Sequence, residues 1–214
     1  MVSGAPGAQG KEAHSHQAVG LSLRRELARK GLHLLSAVVP IGYARGISRD
    51  FVLWTLFVAL GIAVSVELAR TRSRSARSLF DARFGTLLRQ HERDALSGAT
   101  WLISALCMTA LLFPKDIAIA AMCAVSIGDA LAAIVGRAFN QSSSSGRKSF
   151  AGSIACLTAS AIAAHAIAGF SWTSAWIAGV LATLAERPRR PMDDNFRIAL
   201  AVGCGILLWR MGFS

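Results

Sequence analysis

Charge is scarce in this chain and negative charge scarcest: only 16% of its 214 residues are charged, with 12 acids against 23 bases. There is a single tyrosine, and the four cysteines form no C-x-x-C pair. Cys107, Cys123, Cys156 and Cys204 all lie in apolar segments and read as small packing residues. Residues 1–22 lack the apolar core of a signal peptide and, being rich in Gly, Ala, Ser and His, read as a disordered cytoplasmic tail. No internal repeat is visible. What remains is strongly apolar, at 53% hydrophobic residues and a mean hydropathy of +0.47, the profile of an integral membrane protein.

Apolar runs predict an all-α, polytopic bundle over residues 23–214 as a single domain. Spans are expected near 31–46, 51–69, 98–113, 116–136, 150–170, 173–185 and 196–212. The first and sixth are short for a full crossing. The net charge of +11 would suggest nucleic acid in a soluble protein, but these bases sit at span ends and in connections, where lipid headgroups or phosphorylated substrates meet them. Seven spans put Arg45, Arg49, Lys115 and Arg210 on one side and the remaining bases on the other, which predicts a cytoplasmic N-terminus. Phe80, Phe84, Leu87 and Leu88, with Arg77, Arg83 and Arg89 among them, predict a basic amphipathic helix, lying either along the inner membrane surface or solvated with its apolar stripe packed on the bundle. Nothing in the pattern supports a homo-oligomer.

Chemistry-bearing residues gather at the cytoplasmic span ends. Glu26, Arg29, Lys30 and His33 recur at i, i+3, i+4 and i+7 and share one helix face. Arg29 and Lys30 alone would fit snorkelling to headgroups, but His33 points the same way from inside the span. Glu67 and Arg70, at i and i+3, end the second span and can pair. Asp129 lies inside an apolar run beside Ser126 and Gly128. An intramembrane carboxylate there needs a partner or hydration. Eight residues before Arg137, it sits about 12 Å below the cytoplasmic end.

Gly146, Arg147, Lys148, Ser149 and Gly152 open the fifth span as an anion site built on a helix N-terminus. Arg147 stands between Gly146 and Lys148, so this is not a Walker A loop. Asp193, Asp194 and Asn195 suit either Mg2+ ligation or capping of the seventh span. Glu92, Gly136 and Glu186 complete the supporting set. His14, His16 and His165 lie away from this cluster.

Four motifs in order, R-K-x-x-H at 29–33, S-x-G-D-A-x-A-x-x-x-G-R at 126–137, G-R-K-S-x-x-G-S at 146–153 and D-D-N at 193–195, resemble those of a known family. It is the family of dolichol kinases, phytol kinases and CTP-dependent diacylglycerol kinases, distantly similar to phosphatidate cytidylyltransferases. The resemblance covers residues 24–212 and implies phosphoryl transfer from a nucleoside triphosphate, often CTP, to a lipid hydroxyl. Under it, Asp129 with Asp193 or Asp194 holds Mg2+, Arg147 and Lys148 hold phosphates, Lys30 or Arg29 steadies the transferring group, and His33 or a carboxylate takes the alcohol proton. Asn140, Arg147 and Ala199 depart from the family pattern and leave the nucleotide open. The competing readings are CDP-lipid synthesis and a non-enzymatic membrane transport or lipid-binding protein.

Overall fold

A computed structural model of the protein describes residues 26–85, 88, 92, 95–139, 149–186 and 193–212. The expected tail, Leu87, the serine-rich connection and Gly146, Arg147 and Lys148 lie outside the described residues. Among those described there is no strand.

The first expected span is two helices, α1 (residues 26–35) and α2 (Val38–Ala44), separated by a turn at Ser36 and Ala37. Pro40 explains the break: it has no N–H to donate, and its ring crowds the carbonyl four residues back, at Ser36. Then come α3 (Arg49–Arg72) and α4 (Arg74–Phe84), followed by α5 (Gly98–Leu112). Serines 48, 73 and 97 cap these three, each accepting the N–H three residues on.

The long helix that follows, Lys115–Ala138, has three parts: α6 (Lys115–Cys123), a π-turn (Ala124–Gly128) and α7 (Asp129–Ala138). It is the axis of the bundle, and Ile117 through Val125 are each 3% exposed or less. Around it stand α8 (Phe150–Ala166), α9 (Trp172–Glu186) and α10 (Asp194–Gly212).

The chain passes repeatedly between two ends of this bundle. At one end Arg49 donates to the carbonyls of Ala110 and Leu111 at 3.0 and 2.6 Å, Lys115 sits over the Tyr43 ring, and Arg210 pairs with Asp116 at 2.5 Å. His165 belongs here too, with Nδ1 2.8 Å from the Phe170 carbonyl and its ring stacked on Trp172. The other end gathers the C-termini of α3, α7 and α9 with the N-termini of α5, α8 and α10.

The distribution of side chains is the reverse of a water-soluble bundle. Alanines dominate the interior, including Ala105, Ala110, Ala121, Ala161, Ala164, Ala175 and Ala182, none more than 1% exposed. Large apolar residues face outward: Phe51, Trp54, Val58 and Ile62 along α3 are 56 to 71% exposed. Small residues let helix backbones approach closely, the packing that works where lipid surrounds a bundle. Two helices, Arg49–Arg72 and Lys115–Ala138, are long and apolar enough to cross a membrane, and Gly98–Leu112 and Phe150–Ala166 are shorter apolar helices. The 15 residues of α9 extend about 22 Å. Cys107, Cys123 and Cys156 are buried as expected, whereas Cys204 is exposed on the outer face of α10.

Gly179 marks the tightest approach of α9 to α8, since a Cβ there would stand 2.5 Å from the Leu157 carbonyl oxygen. Because that neighbour is backbone, the helices must separate to admit a methyl. Gly179→Ala is expected to cost about 1–3 kcal/mol and to lower the thermal midpoint of the detergent-purified protein. An unchanged midpoint would show that this contact does not hold the two helices in place.

Candidate active site

α1 lies antiparallel against the π-turn and α7, and three polar contacts set the register. Glu26 Oε2 stands 3.4 Å from Arg137 Nη2, Lys30 Nζ donates to Asp129 Oδ2, and the hydroxyls of Ser36 and Ser126 are 2.8 Å apart. His33, one turn beyond Lys30, brings Nδ1 to 3.6 Å from the same Asp129 oxygen. Lys30, His33 and Asp129 are 4 to 5% exposed. Burying a carboxylate this far from water alone would be costly, and the Lys30 amine supplies the partner that offsets it.

The π-turn ends immediately before Asp129. One wide turn changes the phase of everything after it, and such turns recur where a side chain has to be re-aimed. Gly128, its last residue, lets α8 come close: a Cβ there would meet Ser160 Oγ at 2.1 Å. A second contact of this kind lies nearer the end, where a Cβ on Gly152 would be 2.8 Å from the Ala132 carbonyl and 3.2 Å from the Gly136 Cα. Gly128, Gly136 and Gly152 thus pack the π-turn and α7 against α8. Ser149 Oγ accepts the Gly152 N–H at 3.0 Å and caps α8. Cys156, one turn beyond Gly152, is fully buried.

Glu67 and Arg70 pair as expected, at 2.5 Å, but the pair does more than end a helix. Arg70 donates to the carbonyls of Glu92 and Ala95 at 3.1 and 2.7 Å, while Glu67 accepts from the Ser97 N–H at 2.9 Å and from the Thr100 hydroxyl at 3.3 Å. Together they clamp the segment leading into α5. That clamp delivers Glu92 to the site: a Cβ on Gly98 would lie 3.3 Å from Glu92 Oε1 and 3.9 Å from Arg29 Nη1. Arg29 pairs with Glu26, which in turn reaches Arg137 on α7.

The acidic motif before α10 takes up its capping role. Asp193 Oδ1 accepts the backbone and side-chain N–H groups of Asn195 at 2.9 and 2.7 Å, and Asp194 pairs with Arg197 at 2.5 Å. Among the described residues, no three His, Cys, Asp or Glu side chains converge closely enough to hold a metal ion. Of the residues expected to hold Mg2+, Asp129 pairs with Lys30, Asp193 accepts from Asn195 and Asp194 pairs with Arg197.

Ser36, Ser160 and the Ser97–Thr100 pair were not singled out from the sequence. Ser36 carried a signal, falling three residues after His33 on the face that already held Lys30. Ser160 carried none, since its place opposite Gly128 depends on the crossing of α8.

The fold and site define a helical bundle with an apolar exterior and a buried cation–imidazole–carboxylate centre at one end. Comparison with known proteins fits the family suggested by the motifs. The chain is 29% identical over 150 residues to CTP-dependent diacylglycerol kinase 1 of Saccharomyces cerevisiae, an alignment spanning 69% of this chain and 52% of that protein. It is 30% identical over 131 residues to the uncharacterized protein RP860 of Rickettsia prowazekii, spanning 60% of this chain and 63% of that one. The chain thus spans between half and two thirds of the length of these relatives. No family model and no solved structure matches it.

Removing one partner of the buried pair should cost more than removing both. Lys30→Met is expected to destabilise the protein by about 3–5 kcal/mol, and the Lys30→Met/Asp129→Leu double substitution by clearly less. A double-substitution cycle on thermal midpoints checks this. A double variant as unstable as the sum of the singles would mean that the two groups do not depend on each other.

Proposed function

We propose that this protein is a lipid kinase that transfers the terminal phosphoryl group of a nucleoside triphosphate to a lipid alcohol at the membrane interface. The observation that carries the reading is the convergence of Lys30, His33 and Asp129, from two helices distant in sequence, inside a bundle whose outer surface is apolar. A relative named for CTP-dependent diacylglycerol phosphorylation supports it and puts CTP first among donors. Diacylglycerol and prenol-type alcohols are both acceptors to test.

In this reading the bundle crosses the bilayer seven times with its N-terminus in the cytoplasm, and the end carrying Glu26, Glu67 and Glu186 faces the cytoplasm. Span ends of opposite character support it: the far end carries few bases, as the positive-inside bias requires. The lipid enters sideways, with its hydroxyl at the depth of His33. Arg147 and Lys148, at the start of α8 beside Gly146 and Ser149, hold the triphosphate.

The hydroxyl oxygen forms a bond to the terminal phosphorus while the bond from that phosphorus to the nucleoside diphosphate oxygen breaks. Lys30 and Arg29 neutralise charge spreading over the phosphoryl oxygens. Asp129 holds the Nδ1 side of His33, so Nε2 accepts the alcohol proton. A divalent cation would come with the triphosphate rather than in a preformed cage, as suits an ion that keeps its waters and binds through phosphates.

The test uses detergent-purified protein, CTP or ATP labelled in the terminal phosphate, and a panel of diacylglycerol, polyprenol and phytol. Labelled lipid phosphate with release of the nucleoside diphosphate is expected, and Asp129→Asn should lower turnover by about a hundredfold or more while circular dichroism keeps its helical signature. Appearance of a CDP-lipid would assign nucleotidyl transfer instead, and no labelled lipid from any combination would sink the kinase reading.

A further inference from the structure

One element is left outside the bundle. α4 buries none of its residues, although its composition is amphipathic. Leu79 and Phe84 are 61 and 51% exposed, and exposed arginines at 72, 74 and 83 accompany a single acid, Asp81. It begins where the exposed apolar face of α3 ends, after Ser73 turns the chain in an extended conformation. Exposed Leu and Phe beside arginine is the composition of a helix lying in a lipid interface, and the charge selects anionic headgroups.

A ring contact joins α4 to the bundle. The Arg70 guanidinium lies 5.2 Å from the centroid of Phe80, whose ring in turn meets Phe84 at 5.3 Å. The same guanidinium holds the Glu92 and Ala95 carbonyls. Phe80 therefore bears on Arg70, and Arg70 holds the segment that carries Glu92, whose carboxylate lies beside Gly98 as the Arg29 guanidinium does.

We propose that α4 docks on an anionic lipid surface and that this docking raises activity by holding Arg70, and through it Glu92 and Arg29, in place. The regulatory half rests on the lipid-kinase reading, whereas the docking half does not. Each arginine near an anionic surface changes binding about fivefold, so reversing two is enough to abolish it.

The full chain is reconstituted into nanodiscs of phosphatidylcholine alone or with phosphatidylglycerol, and both hydrogen exchange over residues 74–84 and the initial rate of lipid phosphorylation are measured. Anionic lipid is expected to slow exchange and raise the rate several-fold. Arg74→Glu/Arg83→Glu should lose both responses and keep the rate seen in phosphatidylcholine. Phe80→Ala should keep the lipid-dependent protection and lose the rate response. Equal exchange in the two lipids, or a charge-reversed variant that responds like the wild type, overturns the docking. Protection without a rate response in the wild type overturns the regulation. Protection with no turnover in either lipid leaves docking intact and counts against the kinase reading.

Discussion

The structure depends on a charge pair buried in an interior made of alanine. Lys30 and Asp129 are each within a few per cent of complete burial, and removing either would leave the other's buried polar group without this partner. Because the two belong to helices nearly 100 positions apart, the pair decides where α1 sits and at what register. Glu26 with Arg137 and Ser36 with Ser126 extend the same alignment one step outward and one step inward. A well-packed apolar pair could hold the helices as firmly, whereas an ion pair also fixes which residues face each other.

Holding them requires the surrounding helices to come unusually close. Gly128 lets Ser160 approach, Gly136 and Gly152 lie face to face, and Gly179 brings α9 onto α8. Each close crossing reduces the space in which water could screen the pair. The π-turn then acts locally. It ends one residue before Asp129, so the same chain that forms the apolar axis through α6 presents a carboxylate to α1 in the next turn. Packing and site are one arrangement at this point: a side chain on Gly128 would displace Ser160 and with it the turn that aims Asp129.

The apolar runs and the spacing of Glu26, Arg29, Lys30 and His33 were legible because they follow the helix period, and Asp129 because a carboxylate in such a run is conspicuous. The i, i+3 relation of Glu67 and Arg70 announced their pairing. It could not announce the clamp, since carbonyls at 92 and 95 become its partners only when the chain returns to α5. The glycines illustrate a subtler limit. Glycine permits close approach to a phosphate or to another helix, and sequence alone does not say which; at 128, 136 and 152 the neighbour is α8 or α7 itself. Likewise Asp193 suited both a metal and a cap, and the short loop geometry brings it to the Asn195 N–H groups. The break at residues 36 and 37 was readable from Pro40, whereas the π-turn has no residue type that marks it.

The two ends of the bundle differ in a way that orientation alone does not explain. Positive-inside bias concerns Lys and Arg and is nearly indifferent to Asp and Glu. Yet among the described residues the acids of the bundle also crowd one end: Glu26, Glu67, Glu92, Asp129, Glu186, Asp193 and Asp194, against Asp50 and Asp116 at the other. At the far end the cations meet local needs, with Arg49 on helix-end carbonyls and Arg210 on Asp116. At the near end Glu26 lies between Arg29 and Arg137, Lys30 meets Asp129, and Arg70 pairs with Glu67, so that these cations are positioned by acids. Such pairing keeps cations in fixed directions. Fixed cations are what a reaction that spreads charge over phosphoryl oxygens needs, because they stabilise that charge without first having to reorganise.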